Sequence, residues 1–88
     1  MFKVSGDIRS TSSEDGAVLL DVHRGRILGL NPMGSRIFKM LERGVDQNQI
    51  AGEISDEFGV DAGQVRNDVL DFIQNLQEHN VLEASGSD

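Results

Sequence analysis

The chain has 88 residues, of which 38% are hydrophobic and 26% charged, and it contains no cysteine, so we expect one domain over residues 1–88 without disulfides or a thiolate metal site. Its net charge of -7 comes from residues 46–88, which hold ten Asp and Glu against one Arg. A field of this sign repels phosphate backbones, so no nucleic-acid partner is expected. No apolar run approaches the ~20 residues of a membrane span and no signal-peptide pattern is present, so the sequence predicts a cytoplasmic protein with no membrane partner.

The first third of the chain carries strand signals. A weakly marked first strand is expected around Ile8, and residues 17–21 and 26–30 form two further apolar runs. The residues between these runs suit a hairpin loop in which Gly25 adopts a positive φ. The sequence therefore predicts a three-stranded antiparallel meander in which residues 26–30 form an edge strand.

Helix signals begin at Asn31, which can cap a helix through its side-chain oxygen, and at Pro32, which suits the first helical position. Gly44 is expected to end this first helix. Its apolar face follows helical spacing and consists of Met33, Ile37, Phe38, Met40 and Leu41.

Two further helices carry capping-box-like starts. Asp46 with Gln49 predicts the start of the second helix, which should end at Gly59, and Asp61 with Gln64 predicts the start of the third. The third helix should end near Asn80, and its apolar stripe consists of Val65, Val69, Phe72, Ile73 and Leu76. Strands followed by helices predict an α+β fold with a core over about residues 8–82 and a flexible tail over residues 83–88.

The ordered set of motifs resembles the PqqD family, whose members are also called RiPP recognition elements. The strongest segment is residues 25–41, with Leu30-Asn31-Pro32-Met33-Gly34 followed by Ile37-Phe38 and Leu41. The match continues through Gln49-Ile50-Ala51, Phe58-Gly59-Val60, Val65, Asp68-Val69, Phe72-Ile73 and Leu76. The resemblance covers about residues 8–82 and implies a winged-helix-like domain of three antiparallel strands and three helices.

In the function that this resemblance implies, the domain binds the leader segment of a ribosomally made precursor peptide as an added strand. The implied peptide-binding residues are Arg26, Ile27, Leu28, Gly29 and Leu30 of the edge strand and Val65, Arg66, Val69, Leu70 and Ile73 of the third helix. Core packing is the alternative role for Leu30, Val69 and Ile73, and a solvated surface charge is the alternative for Arg66. Family members often have an aromatic residue at the position of Leu28, which leaves the preference of the pocket open.

The resemblance also implies a second partner, a processing enzyme to which the leader is delivered. This enzyme is a cysteine protease in lasso-peptide pathways and a radical SAM enzyme in pyrroloquinoline quinone synthesis. The Leu30-Asn31-Pro32 junction is closer to the lasso-peptide type. Because an edge strand can also pair with a second copy, a monomer and a weak homodimer both remain open.

Catalytic chemistry is not expected from this sequence. His23 and His79 are its two histidines, and they fall in a hairpin loop and near a helix end, where nothing supplies convergent ligands. We therefore expect no catalytic residue, no metal and no cofactor. The alternative functions are a winged-helix DNA-binding regulator, which the acidic third helix disfavours, and an acidic carrier domain, for which Ser35 is misplaced inside a helical turn.

Overall fold

Strands come first and helices follow, as the sequence predicts. The computed structural model describes residues 2–84. Its elements in chain order are β1 (Phe2–Val4), β2 (Ile8–Ser13), β3 (Gly16–Asp21), β4 (Arg26–Leu30), α1 (Pro32–Glu42), α2 (Gln47–Phe58), α3 (Ala62–Glu78) and β5 (Leu82–Ala84). The predicted α+β fold, with an antiparallel sheet of β2, β3 and β4 followed by three helices, is confirmed.

The three-stranded sheet is covered by the helices on one face. Along β3, Ala17 and Leu19 are buried and the intervening Val18 and Leu20 are exposed, which is the alternation of a half-buried strand. The register pairs Leu19 with Leu28 and Ala17 with Leu30, so these residues of β4 belong to the covered face. We call this the inner face of the sheet.

The predicted hairpin and helix ends are present. Gly25 in the β3–β4 loop has φ +66°, and Gly59 at the end of α2 also has φ +66°. The Asn31 side chain accepts a hydrogen bond of 2.7 Å from the amide of Gly34, and it thereby caps α1 immediately after β4. At the other two starts, Asp46 accepts from the amide of Asn48 and Asp61 from the amide of Gln64. The first of these differs from the predicted capping box, because the bond goes to the residue before Gln49.

One hydrophobic core joins the sheet and the helices. Among its side chains, Phe38 of α1, Ile50 of α2 and Leu76 of α3 are nearly inaccessible, and Leu19 of β3 belongs to the same cluster. Removal of this apolar surface from water is the main stabilising term in a chain without disulfides. Leu28 and Leu30 pack against the core but keep part of their surface accessible.

The sequence did not predict the pair formed by β1 and β5. Val4 lies opposite Leu82, and the amide of Ser5 donates a 2.8 Å hydrogen bond to the carbonyl of Val81, so the two ends of the described chain are joined. The expected tail began at residue 83, whereas Glu83 is part of β5, and residues 85–88 lie outside the described residues. Strands of this length have too few residues to show an alternating pattern. Within residues 2–84, no helix has the length and apolar character to cross a membrane.

Candidate functional site

The edge strand β4 is the first component of the site. It pairs with β3 along one side, and no strand within residues 2–84 pairs with its other side. An edge strand presents amide and carbonyl groups that can bond to a further strand. Ile27 points away from the core and is 73% exposed, whereas Leu28 and Leu30 are half-buried on the inner face.

A cleft lies beside the C-terminal end of β4, between this strand, the first turn of α1 and the middle of α3. It encloses about 310 Å³ and is lined by Gly29, Leu30, Asn31, Met33, Gly34, Ile37, Asp68 and Phe72. The lining is largely apolar, with the carboxyl group of Asp68 and the amide of Asn31 as its polar side-chain groups. The cleft can therefore accept an apolar side chain whose neighbouring atoms donate hydrogen bonds to Asp68.

The narrow wall of this cleft depends on Gly34. A β-carbon at residue 34 would lie 3.4 Å from the ring atom Cε1 of Phe72 and 3.1 Å from Oδ1 of Asn31. The Asn31 cap holds Gly34 in the first turn of α1, which directs the start of this helix toward Phe72. The motif Asn31-Pro32-Met33-Gly34 thus shapes the cleft as well as starting the helix.

A second groove lies at the N-terminal end of β4, between the inner face of the sheet and the end of α3. Its volume is about 340 Å³, and it is lined by Ile8, Leu19, Asp21, Arg26, Ile27, Leu28, His79 and Val81. Helix α3 contributes Phe72 to the cleft near Leu30 and is followed by His79 in the groove near Arg26. The two concave regions therefore flank β4 at its two ends.

The expected peptide-binding residues differ in their placement: those on β4 lie along the open edge of the sheet, and three of those on α3 lie in the core. Val65, Val69 and Ile73 are at most 3% exposed and belong to the hydrophobic core. For Val69 and Ile73 the structure thus agrees with the alternative of core packing. Val65 is buried in the same core.

Arg66 and Leu70 lie on a different face of α3 from the cleft. Both are exposed, Leu70 by 43%. Because successive helical residues are separated by about 100° around the axis, each is about 160° away from the residue two positions later, and those residues are Asp68 and Phe72. The structure does not bring Arg66 or Leu70 to the cleft, and their expected roles in peptide binding stay predictions.

Other residues line the two concave regions and were not predicted as site residues from the sequence. These are Met33, Ile37, Asp68 and Phe72 in the cleft and His79 in the groove. Asp68 and Phe72 are separated by one helical turn, at the margin of the apolar stripe of α3. No local signal distinguished them, because a carboxylate beside an apolar stripe is ordinarily a solvated surface group and Phe72 belongs to the stripe itself.

No candidate metal site is present in residues 2–84. Within residues 2–84, no three or more His, Asp or Glu side chains are grouped so that they could hold a metal ion.

Fold and site together define a small α+β domain with an open sheet edge beside an apolar cleft. The family model described as coenzyme PQQ synthesis protein D (PqqD) matches residues 16–82, and the chain belongs to this family. A search of curated protein sequences finds no significant match.

Two solved structures share the fold. One is TbiB1 in complex with the TbiA(beta) leader peptide, which is 34% identical, with a TM-score of 0.87 over 97% of this chain and 99% of that chain. The other is a lasso peptide synthetase B1 complexed with the leader peptide, which is 23% identical, with a TM-score of 0.87 over 94% and 98% of the two chains. The second, at its lower identity, shows the fold alone.

Proposed function

We propose that this protein binds the leader segment of a ribosomally made precursor peptide as an additional strand along the edge of β4. The observation that carries the proposal is the open β4 edge with a largely apolar cleft at its C-terminal end. This combination allows main-chain hydrogen bonds along the strand and side-chain selection in the cleft. The 34% identical TbiB1 was solved with a leader peptide, which supports the same class of ligand here.

The free-energy terms indicate that the cleft determines which leader sequences bind. Each hydrogen bond along the five residues of β4 contributes about 1 kcal/mol net, whereas ordering a disordered leader costs about 2–5 kcal/mol. These terms nearly cancel, so the affinity depends on side chains that become buried, each contributing about 1.5–3 kcal/mol for a Leu or Phe. Leu30, Met33, Ile37 and Phe72 provide the surface against which such a side chain would pack.

In this proposal the protein is an adaptor and not an enzyme. It holds the leader while a separate enzyme processes the precursor. The Leu30-Asn31-Pro32 junction favours a lasso-type pathway, in which that enzyme is a cysteine protease, over the radical enzyme of quinone synthesis. We expect cleavage of the precursor by the protease to require this protein, and equal cleavage rates with and without it would refute the adaptor role.

Residue-resolved titration tests leader binding. The isotope-labelled protein is titrated separately with the TbiA(beta) leader peptide and with the leader of the precursor encoded beside its own gene. We expect saturable amide shifts in β4 and in the segment of α3 around Phe72. If neither peptide gives saturable shifts, or if shifts centre on α2 and α3 with duplex DNA instead, the proposal is wrong.

A further inference from the structure

The groove at the N-terminal end of β4 has a different chemical character from the cleft. Its lining includes the apolar Ile8, Leu19 and Val81, but also the buried Asp21 and the exposed Arg26 and His79. One carboxylate and two basic side chains therefore meet at the end of the edge strand. Which of these groups are available to a ligand depends on the bonds that they already make.

The carboxylate of Asp21 is already occupied by the β3–β4 loop. Its Oδ1 accepts hydrogen bonds of 3.1 Å from the amides of His23 and Arg24, and its Oδ2 accepts one of 3.2 Å from Nη1 of Arg24. Although burial acts to raise the pKa of Asp21, the hydrogen bonds and the charge of Arg24 outweigh it and hold the pKa below its usual value. Asp21 is thus an ionised structural group of the hairpin.

Arg26 lies directly opposite Asp21 in the β3–β4 register but does not neutralise it. Within residues 2–84 the ion pairs are Arg24 with Asp21 and Arg36 with Glu57, and neither includes Arg26. Arg26 is exposed at the strand end, so its planar guanidinium retains its donors for a carboxylate. The carboxylate that would be the expected cross-strand partner of Arg26 is engaged by Arg24.

His79 lies across the groove at the end of α3. Its Nδ1 is 2.9 Å from the carbonyl oxygen of Asn75, so this nitrogen donates and the ring is held by its own helix. The other ring nitrogen, Nε2, is the one left for a ligand, and it donates when the imidazole is protonated. The C-terminal end of a helix is a favourable position for a cation.

From this arrangement we infer a second subsite on β4, in which Arg26 and His79 bind an acidic residue of the added peptide strand. This inference rests on the proposed function, because it places the acidic side chain in a strand paired with β4. Arg26 and Leu30 are the first and last residues of β4. The ligand should therefore combine an apolar residue for the Phe72 cleft with an Asp or Glu about four residues away along the strand.

The subsite links the orientation of the added strand to the order of the acidic and apolar residues in the ligand. A strand antiparallel to β4 carries the acidic residue on the C-terminal side of the apolar residue, and a parallel strand carries it on the N-terminal side. Asp68 at the rim of the cleft opposes an acidic residue there. The two ends of β4 thus differ in charge and distinguish the two ends of the peptide.

Selection from a phage-displayed library of random peptides of about ten residues tests the subsite with ligands of unbiased sequence. Wild-type protein, Arg26→Gln, Arg26→Glu and His79→Gln are used in parallel. We expect wild type to enrich Asp or Glu about four residues from an apolar position, Arg26→Gln to lose this enrichment, and Arg26→Glu to enrich Lys or Arg at the same position. His79→Gln should weaken the acidic preference without abolishing it.

Synthetic peptides from the selection then measure how much the acidic residue contributes to the affinity. Replacing the acidic residue by its amide should weaken binding to wild type by about tenfold and binding to Arg26→Gln by less than about twofold. Enriched peptides without an acidic preference would overturn the subsite and leave the proposed function standing. A selection that enriches no peptide at all, from folded protein, would overturn both.

Discussion

Gly16 lies so close to the backbone of Leu30 that a β-carbon at residue 16 would overlap the Leu30 carbonyl oxygen. Gly16 begins β3, has φ +135°, and is buried, and Leu30 ends β4 beside the cleft. The position of the cleft therefore depends on the absence of a side chain at residue 16.

The first prediction concerns this contact. Gly16→Ala should lower the free energy of unfolding by about 2 kcal/mol or more, because both the positive φ and the overlap must be relieved by moving the backbone. Gly52→Ala is the matched control, since Gly52 lies within α2 and a β-carbon there meets nothing within 4 Å. The control should raise stability by about 0.5–1 kcal/mol. Equal effects in urea-induced unfolding would contradict the described contact.

A second prediction separates two faces of α3. Phe72→Ala should weaken leader binding by about 10–100-fold, because it removes the aromatic wall of the cleft. Leu70→Ala should change binding by less than about twofold, since Leu70 is on the far face of the helix. Calorimetric titration measures both affinities, and circular dichroism confirms that each variant is folded. A larger loss of affinity from Leu70→Ala than from Phe72→Ala would contradict this prediction, because it would place the ligand on the Leu70 face of α3.

The third prediction compares neighbouring residues of β4 that point to opposite sides of the sheet. Leu28→Ala removes an apolar side chain from the half-buried inner face, whereas Ile27→Ala removes one that is 73% exposed. We expect Leu28→Ala to weaken leader binding by at least about tenfold and Ile27→Ala to have a much smaller effect. Fluorescence anisotropy of a labelled leader peptide measures the difference. The reverse order would mean that the peptide contacts the outer face of the sheet.

A fourth prediction follows from the lowered pKa of Asp21. Since the pKa is lower in the folded chain than its ordinary value of 3.8, the ionised carboxylate stabilises the fold above that pH. This stabilisation is lost as the pH falls through the folded pKa. Asp21→Asn should therefore reduce stability most at neutral pH, and its deficit relative to wild type should shrink below pH 3.8.

Thermal unfolding across this pH range measures the deficit of Asp21→Asn. Asp15→Asn, at the exposed β2–β3 turn, is the control for removal of a single charge. A deficit of Asp21→Asn that stays constant with pH would show that the carboxylate charge is not the stabilising feature of the hairpin.

Local sequence signals predicted much of the fold because the relevant interactions are local. The cap at Asn31, the positive φ at Gly25 and the end of α2 at Gly59 involve residues within a few positions of each other, so residue type and spacing were sufficient. The pair of β1 and β5 joins residues at opposite ends of the chain through short strands. No pattern within a short stretch of sequence predicts such a contact.

The expected site residues on β4 lie along the open edge of the sheet, whereas those on α3 lie away from the cleft, for a related reason. Periodicity identifies the face of α3 that packs into the core, including Val65 and Val69, but it does not tell where the sheet edge lies relative to that face. The cleft uses the margin of the stripe, at Asp68 and Phe72, because α1 and β4 meet α3 there. This relationship is tertiary, and it became apparent only from the packed structure.

Amide hydrogen exchange of β4 with and without leader peptide tests the central claim most directly. Strand addition predicts that a saturating leader slows exchange at alternate residues of Arg26–Leu30, because an added strand bonds to every second residue of an edge. The other edge, Ile8–Ser13, is the internal control and should be unchanged. Saturable binding with no added protection along β4, or with equal protection along β2, would contradict strand addition at this edge.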